Sequence, residues 1–237
     1  AHAGLILQHP NYTGLNQGLV GYWSFDGKDM SNLTAFDRSG NNNNGTLTNG
    51  PTRAIGKIGQ ALKFDGVNDY VNIGDKTTLE LNFPLTISAW VKQSSIGVLD
   101  TETSIISKYL SAGNQREWHF STISQGSQIT FEFIKSRDGV GAGSLDPVSS
   151  ATLVGANTWA HGAITIDSSG NYVFYLNGVP DGTGTIANTT IFHGTASATI
   201  GEWSNPAALF PGSIDDVRVY NRALTPAEIL RLYNLGR

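Results

Sequence analysis

The sequence predicts an all-β fold: a two-sheet antiparallel β-sandwich of the jelly-roll kind, with one short C-terminal helix. Three observations carry that reading. Short runs rich in Val, Ile, Tyr, Phe and Trp recur roughly every 8–12 residues. Turn formers, among them 28 glycines, separate these runs. No helical period intervenes until the last dozen residues, which excludes an alternating α/β chain.

The strands are justified in order. Leu19 to Phe25 is the first, with Trp23 and Phe25 two apart on one face. Ala61–Phe64 and Tyr70–Ile73 flank Asp65-Gly66-Val-Asn-Asp69, a turn composition. Thr86 to Lys92 alternates, with Ile87, Ala89 and Val91 on one side. Glu117–Ile123 and Gln128–Ile134 form a hairpin around Gly126, and Trp118, Phe120, Ile129, Phe131 and Phe133 are expected to face inward. Ala163–Ile166 and Tyr172–Leu176 form a second hairpin, and Asn177-Gly178 supplies the positive φ angles of a tight turn. Ala198–Ile200 and Ser213–Tyr220 complete the set. Trp23, Trp90, Trp118 and Trp159 lie in strand patterns and are assigned to the core or to half-buried positions.

The helix begins at Thr225-Pro-Ala-Glu228, a capping box in which the hydroxyl and carboxylate satisfy orphan N–H groups. Pro226 sits where its missing N–H is harmless. Ile229, Leu232 and Tyr233 make its apolar stripe.

Composition narrows the function. The chain has 237 residues, of which 14% are charged, and a formal net charge of -4. No basic face is available to displace counterions from nucleic acid, and no Lys/Arg cluster suits an anionic membrane surface. The lack of cysteine excludes disulfides, thiolate metal sites and Cys nucleophiles. No apolar run is long enough to span a bilayer. Residues 1–18 lack periodicity and are expected to be a leader or linker; any secretory signal is expected to have been removed already. Residues 19–237 are read as one domain.

Five phrases recur together in one family. Gly18 to Asp26 followed by Asp37 to Leu47, Gly59-Gln-Ala-Leu-Lys-Phe-Asp-Gly-Val-Asn-Asp-Tyr-Val71, Asn157 to His161, Phe174 to Gly178, and Gly212 to Thr225 stand in order and at suitable spacing. The chain resembles the laminin-G-like jelly-roll domains of bacterial secreted or surface proteins, within the concanavalin A-like lectin/glucanase superfamily. The resemblance covers about residues 18 to 235. It implies a module of a larger, multidomain secreted or cell-surface protein, with a glycan or an extracellular protein as partner.

It also implies a structural calcium ion. Carried over by position, its ligands resemble Asp26 or its carbonyl, Gly66 and Asp215, hard oxygens of the kind calcium takes. Alternation places Asp215 with Val217 and Val219, and Asp216 with Ile214 and Arg218. Plain turn chemistry is the competing reading, since Asp bonds its own backbone. A second string, Asp37-x-Ser39-x-Asn41-x-Asn43, lacks the glycine and glutamate of a calcium loop and is read as an Asn-rich turn.

Catalysis finds little support. Sandwich glycosidases of this kind carry Glu-x-Asp-x-x-Glu on one strand, so that alternation aims two carboxylates into one cleft. No such string occurs, and Glu132 stands alone, out of step with Phe131 and Phe133. The five histidines are scattered, with no metal spacing, and no Gly-x-Ser-x-Gly elbow accompanies them. His119 and His161 are expected to face solvent or to be satisfied. A lyase assembled from Tyr, His and Arg of different strands is the remaining enzymatic option.

Recognition is the favoured function, with a non-catalytic, carbohydrate-binding role ahead of an adhesion or protein-interaction spacer. Aromatic rings on loops stack on sugar faces while amides and guanidinium groups bond hydroxyls. Trp203, in the loop Ile200 to Pro206, is the first candidate. Tyr109, in a stretch read as a loop from Ser107 to Gly113, is the second, with Arg116 and Asn114 beside it.

Overall fold

The computed structural model describes residues 14–94, 101–141, 144–203 and 208–237. The strands in chain order begin with β1 (Leu19–Trp23), β2 (Met30–Ser31), β3 (Thr34–Ala35), β4 (Gly45–Thr48), β5 (Thr52–Ile55) and β6 (Gln60–Asp65). Next come β7 (Tyr70–Gly74), β8 (Leu85–Gln93), β9 (Glu102–Leu110), β10 (Gln115–Gln125), β11 (Gln128–Ser136) and β12 (Leu145–Ser149). The last are β13 (Val154–Gly155), β14 (Ala160–Ile166), β15 (Asn171–Leu176), β16 (Val179–Thr185), β17 (Ala198–Ile200) and β18 (Pro211–Tyr220), followed by helix α1 (Pro226–Asn234).

Among the described residues these strands make two antiparallel sheets. The first runs β16-β15-β14-β8-β18-β6-β5, with β1 also paired to β18. The second runs β12-β11-β10-β9-β17-β7-β4-β3-β2, with β13 paired to β11. The core lies between them, because period-2 side chains from both inner faces have nowhere else to leave water. Ile87, Ala89, Val91, Ile164 and Val219 come from one sheet, and Ile106, Phe120, Phe131, Phe133 and Ile200 from the other. Phe120 and Phe131 stack with centroids 5.8 Å apart. Trp23 and Trp118 are fully buried, and each satisfies its indole N–H on a backbone carbonyl, of Asn43 and Leu79 respectively. Trp90 is buried as well, and Trp159 partly.

The strand alternation breaks once where it matters. Asp216 takes a left-handed backbone, φ +52°, and the β18–β8 register shifts between Asp215 and Arg218. This bulge inserts one extra residue, so Ile214, Val217 and Val219 all reach the core. Asp215 therefore pairs across from Trp90, and Arg218 from Ser88, on the sheet's outer face. The expectation that Asp215 shares a face with Val217 and Val219 is corrected by that insertion.

Helix α1 covers part of this outer face. The capping box forms as expected: Thr225 Oγ1 accepts from Glu228 N, and Glu228 Oε2 accepts from Thr225 N at 2.8 Å. Leu15, Leu19, Tyr220, Ile229 and Leu232 make a satellite core beneath the helix. Arg222 donates to the carbonyls of Gly14 and Gln17 and pairs with Glu228. Burying a leucine is worth about 1.5–3 kcal/mol, so packing starts before residue 19: residues 14–18 belong to the folded body. Residues 1–13 of the expected leader lie outside the described residues.

Candidate functional site

The outer face of the second sheet holds the polar chemistry. Two transverse rows follow from the register. Thr199, Ser107, His119 and Ile134 stand side by side on β17, β9, β10 and β11. Ser104, Ser121, Glu132 and Ser149 stand side by side on β9 to β12. Tyr109 follows Ser107 by two residues and so shares its face.

The four residues singled out for ligand contact come together here. Trp203 and Tyr109 meet edge to face with centroids 4.8 Å apart, and both rings neighbour His119, at 5.5 and 5.8 Å. Ser107 Oγ and Thr199 Oγ1 both donate to the Glu202 carbonyl, which fixes the backbone just before Trp203. The Arg116 guanidinium carbon lies 5.9 Å from the Tyr109 ring centre, and Arg116 donates to Asn114 Oδ1 at 3.2 Å and to the Gly139 carbonyl at 3.3 Å. One placement differs from expectation. Tyr109 is not in a loop but in β9, and its side chain is buried; the turn starts only at Ala112–Asn114. Burial raises the Tyr109 hydroxyl pKa above its ordinary value.

Beside Tyr109 the surface opens into a cavity of about 290 Å³, lined by Tyr70, Asn72, Leu110, Ser197, Thr199 and Glu202 as well as Tyr109. Two tyrosines, an asparagine, a serine, a threonine and a glutamate thus border one space of monosaccharide scale. Another cavity, about 250 Å³ around Ile55, Lys63 and Lys92 on the first sheet, contains no aromatic ring.

Next to the aromatic cluster lies a set that strand patterns did not reveal. Ser104 Oγ, His119 Nε2, Ser121 Oγ, Glu132 Oε2 and Trp203 Nε1 are buried without a hydrogen-bond partner. His119 Nδ1 stands 3.7 Å from Glu102 Oε2. Burial holds the His119 imidazole neutral, with a pKa near about 3, and raises that of Glu102. Burial, reinforced by the Glu102 charge, pushes Glu132 to about 7. The expectation for His119 and His161 is overturned in the same way: both are buried and each keeps one unpartnered ring nitrogen. Alternation correctly put Glu132 on the outer face, but it cannot tell whether that face is wet.

The residues predicted to hold calcium divide. Asp215 Oδ2 accepts from Lys57 N and Ile58 N, both at 2.8 Å, and Asp26 Oδ1 accepts from Gln60 N at 2.9 Å. Two carboxylates from opposite ends of the chain therefore clamp one loop, residues 56–60. Gly59, at φ +60°, belongs there because a Cβ would collide with the Asp26 carboxylate. Asp215 Oδ1 is buried without a partner, and burial, with the charges of Asp216 and Asp26, raises this acid to about 7. Such a group suits a cation. Gly66 does not join them. It lies past the other end of β6, against Pro211, where Asp65 Oδ1 caps the N–H groups of Val67, Asn68 and Asp69. The Asp37 string is the turn expected of it: Asp37 accepts from Tyr22 N, Ser39 N and Asn43 N. Among the described residues no three His, Cys, Asp or Glu side chains converge to hold a metal, and no helix is long and apolar enough to cross a membrane.

Residues 65–230 match the family described as the concanavalin A-like lectin/glucanases superfamily. No curated protein sequence matches the chain. Among solved structures, the binding domain of Paraclostridial Mosquitocidal Protein 1 is similar with a TM-score of 0.72 at 18% identity, over 93% of this chain and 52% of that one. Domain 4 of AbnA, a GH43 extracellular arabinanase from Geobacillus stearothermophilus in complex with arabinotriose, gives 0.67 at 24% identity, over 92% and 98%. The ligand-binding domain of botulinum neurotoxin serotype D, in complex with N-acetylneuraminic acid, gives 0.67 at 17%, over 94% and 52%. The chain spans about half the length of the two toxin domains. At these identities the likeness is one of fold. The two toxin structures are binding domains and the third is one domain of an enzyme. A Trypanosoma rangeli sialidase is also similar, with a TM-score of 0.61 at 19% identity, over 92% of this chain and 32% of that one.

Proposed function

The chain belongs to the concanavalin A-like lectin/glucanases superfamily, and on that premise we propose that it is a non-catalytic, carbohydrate-binding module of a secreted or cell-surface protein. The observation that carries the reading is the cavity beside Tyr109, where two tyrosines and several hydroxyl-bonding residues line one space. Stacked rings and a few convergent polar groups are what a sugar requires. Support comes from neighbours whose bound ligands are arabinotriose and N-acetylneuraminic acid, one of them a domain of an extracellular enzyme. Trp203 would hold Tyr109 through its edge-to-face contact, and Arg116, near the Tyr109 ring, would hold Asn114.

A glycan array followed by titration calorimetry tests this. Binding of a saccharide by the wild type, weakened about tenfold or more in Tyr109→Ala, is the expected result. No saccharide bound, with a protein ligand captured instead, would favour the interaction-spacer alternative. Cleavage of a bound glycan would contradict the non-catalytic half.

A structural calcium is a separate proposal. Asp26 and Asp215 would supply carboxylate oxygens at the 56–60 loop, and Gly66 has no part in it. The ion would neutralise the charge of a buried acid and tie the two terminal strands together.

A further inference from the structure

The first sheet carries a cavity of its own on the side away from the core. It spans about 250 Å³, and Lys63, Lys92, Ser94, Asn157 and Ser213 are among the residues that border it. The register explains why they meet. Ser213 on β18 pairs with Lys63 on β6 and with Lys92 on β8, so the three stand in one row. Leu62, Phe64, Val91 and Ile214 belong to the core, which turns Lys63, Lys92 and Ser213 outward. Two strand spacings set the lysine backbones about 10 Å apart, with a small serine between them. The walls are pinned: Asn157 N donates to the Gln93 carbonyl and Ser94 N to the Pro211 carbonyl, both at 2.7 Å. Gly212, at φ +153°, lets β18 approach β8 closely, since a Cβ there would stand 2.3 Å from the Lys92 carbonyl oxygen.

The charge on this face is unanswered. Among the described residues no acid pairs with Lys63 or Lys92. The acids that follow on the same strands are committed elsewhere. Asp65 Oδ1 accepts from Val67 N and Asn68 N, Asp215 Oδ2 from Lys57 N and Ile58 N, and Asp216 pairs with Arg218. The cavity continues past Ala54 and Ile55 into another of about 520 Å³, bordered by Arg53 and Gln60. Arg53 also has no ion pair among the described residues. Three cations thus line one path across β8, β18, β6 and β5, and together they attract an anion. No aromatic ring borders either cavity, so charge and hydrogen bonding, not stacking, select the occupant. A peptide carboxylate on its narrow stem would leave most of this volume empty. A sugar ring fills it and finds Ser213 and Asn157 for its hydroxyls.

We propose that this face binds an acidic saccharide. The oxyanion of one sugar ring, a carboxylate or a sulfate ester, is held between Lys63 and Lys92, and the next acidic unit lies near Arg53. The site is separate from the cavity beside Tyr109 and does not rest on it.

Titration calorimetry with three tetramers tests it: galacturonate, its methyl ester, and galactose carrying sulfate esters. Wild type, Lys63→Gln, Lys92→Gln and Tyr109→Ala are compared. The expected result is binding of one or both acidic tetramers about tenfold or more tighter than the ester. That preference is weakened by salt, lost in both lysine variants and kept in Tyr109→Ala. Unchanged melting temperatures show that the lysine variants fold, and the acidic tetramer that binds identifies the oxyanion. No binding of either acidic tetramer, equal affinity for acid and ester, or a preference that survives both lysine substitutions overturns the proposal. A preference lost in Tyr109→Ala and kept in the lysine variants overturns it as well, while supporting the Tyr109 cavity as the saccharide site.

Discussion

The Trp203 ring meets the Tyr109 ring edge-on, with centroids 4.8 Å apart and planes at 81°. This contact joins the segment after β17 to β9 and holds Tyr109, which lines the cavity. An edge-to-face pair of this kind is worth about 0.5–1.5 kcal/mol beyond its burial. Trp203→Ala is expected to lower unfolding free energy by more than that, because the truncation also removes the ring's burial and its contact with His119. It is expected to lower saccharide affinity by several-fold, through misplacement of Tyr109. Tyr109→Phe keeps the ring but removes the hydroxyl that bonds Arg116, and is expected to cost about 1 kcal/mol. Denaturant melts and calorimetry read both.

Glu132 sets a pH signature. Its folded-state acid is raised from 4.5 to about 7 by burial and by the Glu102 charge. Below about pH 4.5 both folded and unfolded forms hold the proton, so nothing is lost. As pH rises to about 7 the unfolded chain releases its proton first, and stability falls by something on the order of 3 kcal/mol from this group. Glu132→Gln is expected to remove that slope. Urea melts at pH 4.5 and 7.5 on both proteins measure the difference, and parallel slopes would contradict the assignment.

The Arg218 guanidinium lies 3.8 Å from the centre of the Tyr22 ring and donates to both oxygens of Asp216, at 3.0 and 3.2 Å. Arg218 and Asp216 are buried on the outer face of the first sheet and Tyr22 is half-buried there, and the Asp216 bulge makes the arrangement possible. Arg218→Met leaves a buried carboxylate without its partner, a loss of about 3–5 kcal/mol. Adding Asp216→Asn is expected to recover part of it, and equilibrium unfolding of the single and double variants checks this.

Calcium has its own test. Thermal unfolding in chelator and then in excess calcium is expected to show a rise in Tm in the wild type and none in Asp215→Asn, which keeps an oxygen for the Lys57 and Ile58 N–H groups. An equal response in both proteins would contradict the role given to Asp215.

The sandwich was legible because alternation such as Ile87, Ala89 and Val91 can be buried only by a second sheet. The capping box was legible because its two hydrogen bonds are local. The Asp216 bulge was not, since one inserted residue inverts every later face while leaving composition unchanged. Tyr109 read as a loop residue because Ser, Ala and Gly follow it, yet β9 continues through Leu110. The Glu102, His119 and Glu132 group spans three strands, so its members are far apart in the chain and only the register unites them. The family pattern led to Gly66, whereas Asp26 and Asp215 meet at the 56–60 loop.

The most direct test of the central claim is a residue-resolved map of saccharide binding by amide chemical shifts. A saccharide identified by the glycan array is titrated into the isotopically labelled protein. The expected result is a contiguous set of perturbed signals at Asn72, Tyr109, Leu110, Ser197, Thr199 and Glu202. Perturbations confined to the Lys63 and Lys92 cavity on the other sheet, with the Tyr109 set unmoved, would contradict it.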